Sequence, residues 1–273
     1  MNIEKIRKKF SVIFNNNDFT VKKITKLSNY IVKKYLDDKK SKGFIILKNL
    51  SVKDYEKKFL ILAKSIGKLR VQDSLGSKII KVTPGKNVNQ IKNQLVKKRY
   101  HQTNIGGSIH TDGPQLSKTP RYLLMGCFKN SKKGGESLIS DAKKIFLFIK
   151  KNKPEFLKEL TQNIYFERRG FKYKNNNCFK KPIFTVKKRK IIFRYLKEYI
   201  FSAYKINKKN LSANLLNSLN YLDFLLMKKK FQDTYKLKDG EIILIDNHRL
   251  AHGRNKFTLD NSASRLIYRV WVG

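Results

Sequence analysis

A histidine and an aspartate two positions apart, His110 and Asp112, stand far upstream of a second histidine, His252, and a fold that uses all three must close a gap of 140 residues. In a β-strand the side chains of residues i and i+2 share one face, so His110 and Asp112 can grip a single ion. Two neutral imidazoles and a carboxylate on one face of an octahedron leave three positions open, the donor set of non-haem Fe(II) oxygenases. His252 lies in the stretch Asp246-Asn247-His248-Arg249-Leu250-Ala251-His252-Gly253-Arg254, directly after the apolar run Ile242 to Ile245. As a buried strand, that run delivers His252 to a core. Taken alone, His110-Thr111-Asp112 reads as a turn with a hydrogen-bonded pair. Against that stands the scarcity of histidine, four in the chain, two of them in settings of this kind.

The charge balance is extreme. Of 62 basic residues 12 are arginine, and against 20 acidic residues they leave a formal net charge of +42. Such an excess favours a polyanion partner. The lysines are spread through nearly every segment, however, and with abundant Asn and Ile and sparse Ala they resemble the drift of an AT-rich genome. Non-specific binding to nucleic acid or anionic lipid at low salt is expected from the charge alone. Two cysteines, Cys127 and Cys178, build neither a disulfide framework nor a zinc motif, and are expected to be buried thiols in a reducing cytoplasm. Met1 to Phe14 lacks the apolar core and cleavage site of a signal peptide, and no apolar run approaches a membrane span. The expected protein is a soluble cytoplasmic one, with a homo-oligomer left open.

At 273 residues the chain can form one large core, and a single domain over 1–273 is expected, with a helical N-terminal portion over about 1–70. Val21, Ile24, Leu27, Ile31 and Tyr35 space out an amphipathic helix within 17–40, ended by Gly43. Phe44 to Leu47 reads as a buried strand. Ser51 reads as the N-cap of a second helix, with Asp54 at its third position and Tyr55, Phe59, Leu62 and Ala63 on the apolar face, closed by Gly67. Ile79 to Val82 and Tyr122 to Met125 read as strands. The polar stretch from Lys86 to Ile109 reads equally as a mobile lid or an ordinary solvated loop with a short helix. Lys132 to Gly135 reads as a hairpin-like turn into a strand at 136–140, and Asp141 as the cap of the helix that follows, with helical character continuing over 154–160. Strands are expected at Tyr165–Tyr173 and Pro182–Phe193, the second interrupted by a basic turn at Lys187 to Lys190. Leu215, Leu219, Leu222 and Leu226 mark the strongest helix, Leu211 to Leu226, capped by Ser212 or Asn210. Asp239-Gly240 then turns into a last hairpin with strands near 241–252 and 264–272. The expected class is α+β, a double-stranded β-helix or jelly-roll core with helices packed outside.

Three open metal positions call for a bidentate co-substrate, and 2-oxoglutarate is the usual one. Its far carboxylate needs a cation, for which an arginine fork is better suited than a lysine. Arg265 and Arg269 stand 13 and 17 residues beyond His252 on the final strand, four apart and so on one face. They could belong to an exposed basic face, but Leu266, Ile267, Tyr268, Val270 and Trp271 around them favour burial.

Together, Gly43–Leu50, Tyr100–Asp112, Gly134-Gly135-Glu136-Ser137-Leu138, Asp246–Arg254 and Arg265–Trp271 resemble, in order and spacing, the taurine dioxygenase-like superfamily of Fe(II)/2-oxoglutarate oxygenases. That group includes clavaminate synthase-like enzymes and gamma-butyrobetaine hydroxylase. The resemblance implies that His110, Asp112 and His252 are iron ligands, and that Ser137 and Arg265 hold the distal carboxylate of 2-oxoglutarate. It implies that Arg269 meets either the co-substrate or an anionic group of the substrate, and that Arg254 stabilises a turn. Fe(II), 2-oxoglutarate and O2 are then the cofactor and co-substrates. The implied reaction is hydroxylation of an unactivated carbon in a small polar substrate, an amino acid, betaine or related metabolite, with release of succinate and CO2. Asp112 argues against halogenation, because halogenating relatives carry a small residue there. Competing readings are a basic nucleic-acid-binding protein with a vestigial triad, or an oxygenase of this class acting on a macromolecule or catalysing desaturation.

Overall fold

The computed structural model describes residues 11–13, 21–84, 104, 106–169, 171, 176–188, 190–258 and 265–273. The first half of the chain forms β1 (Ser11–Ile13), α1 (Val21–Ile31, extended by a π-helical turn over Val32–Asp37), β2 (Phe44–Lys48), α2 (Tyr55–Ile66), β3 (Leu69–Arg70), β4 (Ile79–Val82), β5 (Tyr122–Lys129) and β6 (Ser137–Asp141). There follow α3 (Ala142–Asn152), α4 (Pro154–Thr161), β7 (Ile164–Glu167), β8 (Cys178–Lys181), β9 (Phe184–Lys187), β10 (Lys190–Phe193), α5 (Lys197–Ile206) and α6 (Ala213–Met227). The chain closes with β11 (Gln232–Tyr235), β12 (Ile242–Asp246), β13 (Leu250–Arg254) and β14 (Leu266–Val272).

Two sheets face each other. The larger has the order β1-β2-β12-β5-β14-β3, with β4 also paired to β14; the smaller is β11-β6-β13. Apart from the parallel pair β1–β2, the pairings in both are antiparallel. This is the α+β jelly roll, with helices on its outer faces.

Strand periodicity sorts the apolar residues into three layers. Along β12, Ile243 and Ile245 point between the sheets, whereas Ile242 and Leu244 point outward onto α1 and α2. A strand covered on both faces reads as a continuous apolar run, which is why Ile242 to Ile245 shows no alternation. Outside the smaller sheet, Leu138 and Ala251 pack under α3, α4 and α6, where Leu215, Leu219, Leu222 and Leu226 are all buried. Two helices carry the side-chain caps foreseen for them: the Asp141 carboxylate accepts from Lys144 N–H at 3.1 Å, and Ser212 Oγ accepts from Leu215 N–H at 3.2 Å.

Several local expectations are corrected. The helix expected at Ser51 begins at Tyr55; its N-cap is Asp54, in the left-handed region at φ 56°, while Ser51 Oγ only accepts from Lys53 N–H. The first helix stops at Asp37, ahead of Gly43, in its π-helical turn. The segment 241–252 is two strands in different sheets, and β14 pairs with β5 rather than returning beside β12, so there is no final hairpin. Likewise Lys132–Gly135 carries the chain from the larger sheet to the smaller instead of closing a hairpin. Gly134, at φ +72°, makes that crossing, and a β-carbon on it would overlap the Lys256 carbonyl. The strand expected at 165–173 is the shorter β7, paired with the unforeseen β8; residues 170 and 172–175 lie outside the described set. Most of the segment read as lid or loop, 85–103 and 105, also lies outside it. Among the described residues, no helix is long and apolar enough to cross a membrane. Cys127 and Cys178 are free, buried thiols.

Removing buried methyl groups from α6 tests this packing. Leu222→Ala should cost about 2–5 kcal/mol by cavity formation, and Leu75→Ala, at a position 88 % exposed, less than about 0.5 kcal/mol. Urea unfolding of the two variants measures the difference.

Candidate metal centre

Along β13 the inward positions are Leu250, His252 and Arg254; Ala251 between them faces the helices. His252 is therefore carried to the space between the sheets by the strand's own period. His110 joins it through an antiparallel bridge in which His110 N–H donates to His252 O at 2.9 Å and His252 N–H to His110 O at 2.7 Å. The strand expected to carry both His110 and Asp112 is limited to that one bridge. Beyond it the chain bends, held by backbone and side-chain bonds: Thr111 N–H donates to the Tyr195 backbone O at 2.8 Å, and Tyr195 N–H to Thr111 Oγ1 at 2.9 Å. Asp112 N–H donates to Asn247 Oδ1 at 2.8 Å, and Asn247 Nδ2 returns to Asp112 O at 3.0 Å. Gly113 completes the bend at φ +70°, where a β-carbon would stand 2.5 Å from Pro120 Cδ.

The result is a cluster of two buried residues and the half-buried His110, in which one donor atom from each of His110, Asp112 and His252 lies within 4.8 Å of the others. His110 Nε2 is 3.9 Å from Asp112 Oδ1, and His252 Nε2 is 3.8 Å from Oδ2. His110 Nδ1 lies 3.0 Å from Ser108 O, an acceptor, so that nitrogen carries an N–H and Nε2 is the ring atom that faces the carboxylate. Burial, reinforced by the neighbouring His110, pushes His252 down to about 3, against the pull of Asp112, so it is neutral at ordinary pH. Burial alone would raise Asp112; Arg269, the two histidines and the nearby Trp271 N–H outweigh it and hold the carboxylate below its usual range. Among the described residues, Asp112 Oδ2 and Trp271 Nε1 are nonetheless both buried without a hydrogen-bond partner. A carboxylate oxygen left bare among two imidazoles in a dry site is costly. A divalent cation satisfies it, and the donor set fits iron.

Arg269 Nη1 donates to Asp112 Oδ1 at 3.2 Å, so the final strand brings this arginine to the cluster itself. Ser137 starts β6 directly opposite Arg254 of β13, and both are buried. Arg254 and Arg265 lie over the same Phe257 ring, at 4.7 and 5.2 Å from its centre. Ser137, Arg254 and Arg265 thus converge at one end of the space between the sheets, and Arg254 belongs to a strand's inner face rather than to a turn. Arg265 Nε donates to Asn130 Oδ1 at 3.1 Å.

Three buried polar residues that shape the cluster carried no signal in the sequence. Asn247 clasps the Asp112 backbone and also donates to Pro120 O at 2.9 Å. Arg194, which burial lowers to about 10, donates to the carbonyls of Pro114, Leu116 and Ser117 behind Asp112. Gln72 accepts from Arg269 Nε at 2.9 Å. Each is a single polar residue whose partner is distant in sequence, so neither period nor spacing marks it.

With this geometry in place, the chain can be set beside known proteins. The model of the taurine catabolism dioxygenase TauD, TfdA family matches residues 2–271, and the chain belongs to that family. It is 26 % identical over 184 residues to the gamma-butyrobetaine dioxygenases of Homo sapiens and Pongo abelii, covering 58 % of this chain and 42 % of each relative's length. Its fold superposes on an asparagine oxygenase in complex with Fe(II), 2S,3S-3-hydroxyasparagine and succinate, with TM-score 0.73, 12 % identity and coverage of 97 % of this chain and 93 % of the other. It also superposes on the non-haem iron oxygenase OrfP in complex with Fe and alpha-ketoglutaric acid, with TM-score 0.63, 12 % identity and coverage of 96 % and 93 %.

The stretch that delivers His252 also holds His248, which burial and the adjacent Arg121 lower to about 4. Neutral in the fold, it takes a proton near pH 6.5 once the chain unfolds. Below that pH the unfolded state binds more protons, so this group's contribution to stability is lost between pH 6.5 and about 4. Relative to His248→Asn, the wild type should lose up to about 1.4 kcal/mol per pH unit over this window. Urea unfolding at pH 7, 5.5 and 4.5 measures it, and parallel pH profiles would contradict the assignment.

Proposed function

We propose that the protein is an Fe(II)- and 2-oxoglutarate-dependent dioxygenase that hydroxylates an unactivated carbon of a small polar substrate. The observation that carries this reading is the buried His110–Asp112–His252 cluster with its partnerless Asp112 oxygen. The family membership supports it, as do relatives whose descriptions name gamma-butyrobetaine, asparagine and arginine chemistry. Those substrates share an amino or quaternary ammonium group and a carboxylate, so an amino acid, betaine or related metabolite is the proposed class. The match of one family model to nearly the whole chain supports reading 1–273 as one such domain.

In this assignment His110, Asp112 and His252 hold the iron through His110 Nε2, Asp112 Oδ2 and His252 Nε2. When bound, the iron supplies the redox chemistry by which O2, 2-oxoglutarate and a C–H bond become succinate, CO2 and an alcohol. The protein's own work is positioning and charge. Neutral His252 offers a lone pair, and ionised Asp112 offsets part of the metal's charge. Ser137 and Arg265 take the distal carboxylate of 2-oxoglutarate, with Arg265 already pinned by Asn130 and Phe257 so that little order is lost on binding. Arg269, at the edge of the cluster, meets the co-substrate or an anionic group of the substrate. Asp112 keeps a carboxylate where halogenating relatives carry a small residue, which argues against halogenation and for hydroxylation, with desaturation as the alternative outcome.

Anaerobically prepared protein supplied with Fe(II), 2-oxoglutarate and O2 should form succinate when given the right member of a panel of amino acids and betaines. Asp112→Ala should reduce succinate to the enzyme-free background. Equal succinate from wild type and variant across the panel would defeat the proposal. Arg265→Lys, which keeps the charge and loses the fork, should raise the KM for 2-oxoglutarate roughly tenfold or more with a smaller effect on the KM for substrate.

A further inference from the structure

Gln72, between β3 and β4, is 2 % exposed and more than a hundred residues from any other member of the cluster except the His110 segment. Every polar atom of its side chain is engaged. Nε2 donates to Lys78 O at 3.0 Å and to Arg269 O at 2.9 Å, and Oε1 accepts from Arg269 Nε at 2.9 Å. The two carbonyls accept only from an N–H, so they force the amide's orientation and aim its oxygen at the guanidinium. Its own backbone N–H donates to Ser77 O at 2.8 Å, anchoring the turn that presents it.

The guanidinium is thereby fixed on both sides. Nε is held by Gln72, Nη1 reaches Asp112 Oδ1 at 3.2 Å, and the group lies 5.2 Å from the Trp271 ring centre. The carboxylate follows. With Oδ1 tied to Arg269, the carboxylate is turned so that the bare Oδ2 faces His252.

We propose that Gln72 is a positioning residue of the metal centre: through Arg269 it orients Asp112 so that one carboxylate oxygen is kept on the guanidinium and the other is presented to the ion. This rests on the reading of the cluster as a metal site. Two opposing effects meet at Arg269, since its charge repels a divalent ion while its hydrogen bond holds the carboxylate in place. Replacing Gln72 by a neutral residue without the amide leaves the Arg269 charge in the site and removes the orientation, so Gln72→Met isolates the second effect.

Binding of Co(II) to the full chain under nitrogen, followed by its visible ligand-field spectrum and by calorimetry, tests the proposal without turnover. Gln72→Met should weaken the Co(II) dissociation constant about tenfold and alter the spectrum. Gln72→Glu keeps an oxygen facing Arg269 Nε while losing the amide donors, and should stay within about threefold of wild type on the same scale. In an Arg269→Met background, Gln72→Met should add nothing. The proposal is overturned if Gln72→Met binds within about twofold of wild type, if Gln72→Glu is as weak as Gln72→Met, or if the Gln72 and Arg269 effects multiply. Those last two outcomes are what a residue that merely pins its own turn would produce. Should Gln72→Met not fold, as judged by thermal melting, Gln72→Asn withdraws the oxygen by one methylene and is read by the same criteria. Wild type and Asp112→Ala binding Co(II) equally would instead defeat the metal-site reading, and this inference with it.

Discussion

The architecture depends on placing a carboxylate where water cannot reach it. Asp112 is 4 % exposed, and an isolated charge at such depth would be neutralised or expelled. It stays ionised because the fold surrounds it with compensation: a guanidinium at 3.2 Å, two imidazoles, and an indole N–H nearby. The compensating groups come from three separate parts of the chain. His110 arrives by a single bridge, His252 by β13, and Arg269 and Trp271 by β14, so the jelly roll must close before the charge becomes tolerable. One oxygen remains uncompensated, and the chemistry of the site is directed there.

Order around that carboxylate comes from backbone as much as side chain. The segment after His110 is irregular, and irregular buried backbone needs its hydrogen bonds met by something other than a ladder. Tyr195, Asn247 and Arg194 do this, respectively pairing with Thr111, clasping Asp112, and bonding three consecutive-turn carbonyls beyond Gly113. They fix the bend that carries Asp112 to the histidines.

The family relationship and the site chemistry agree in kind while the sequence identities stay low, 26 % to the gamma-butyrobetaine dioxygenases and 12 % to the solved structures compared. A jelly roll tolerates such divergence because its core asks only for apolar residues of suitable size at alternate positions. The surface here has drifted to lysine. The formal net charge is +42, and among the described residues several lysines bond to acids and carbonyls or rest over aromatic rings. The His110–Asp112–His252 cluster is flanked by an arginine, Arg269, whose fork can hold two partners in fixed directions at once.

What the sequence by itself determined is whatever rests on period and local chemistry. The leucine stripe of α6, the caps at Asp141 and Ser212, the doubly buried run of β12, and the pairing of His110-x-Asp112 with His252 were all legible from residue type and spacing. Burial of Arg265 could be argued from its apolar neighbours, and the same argument brought Arg269 to a half-buried position. Only the tertiary structure decided which sheet each strand joined: 241–252 divides between two sheets, and Lys132–Gly135 crosses instead of turning back, because strand partners are chosen by contacts distant in sequence. It alone disclosed Gln72, Asn247 and Arg194, since a lone buried polar residue is defined by its partner, and local sequence does not contain that partner.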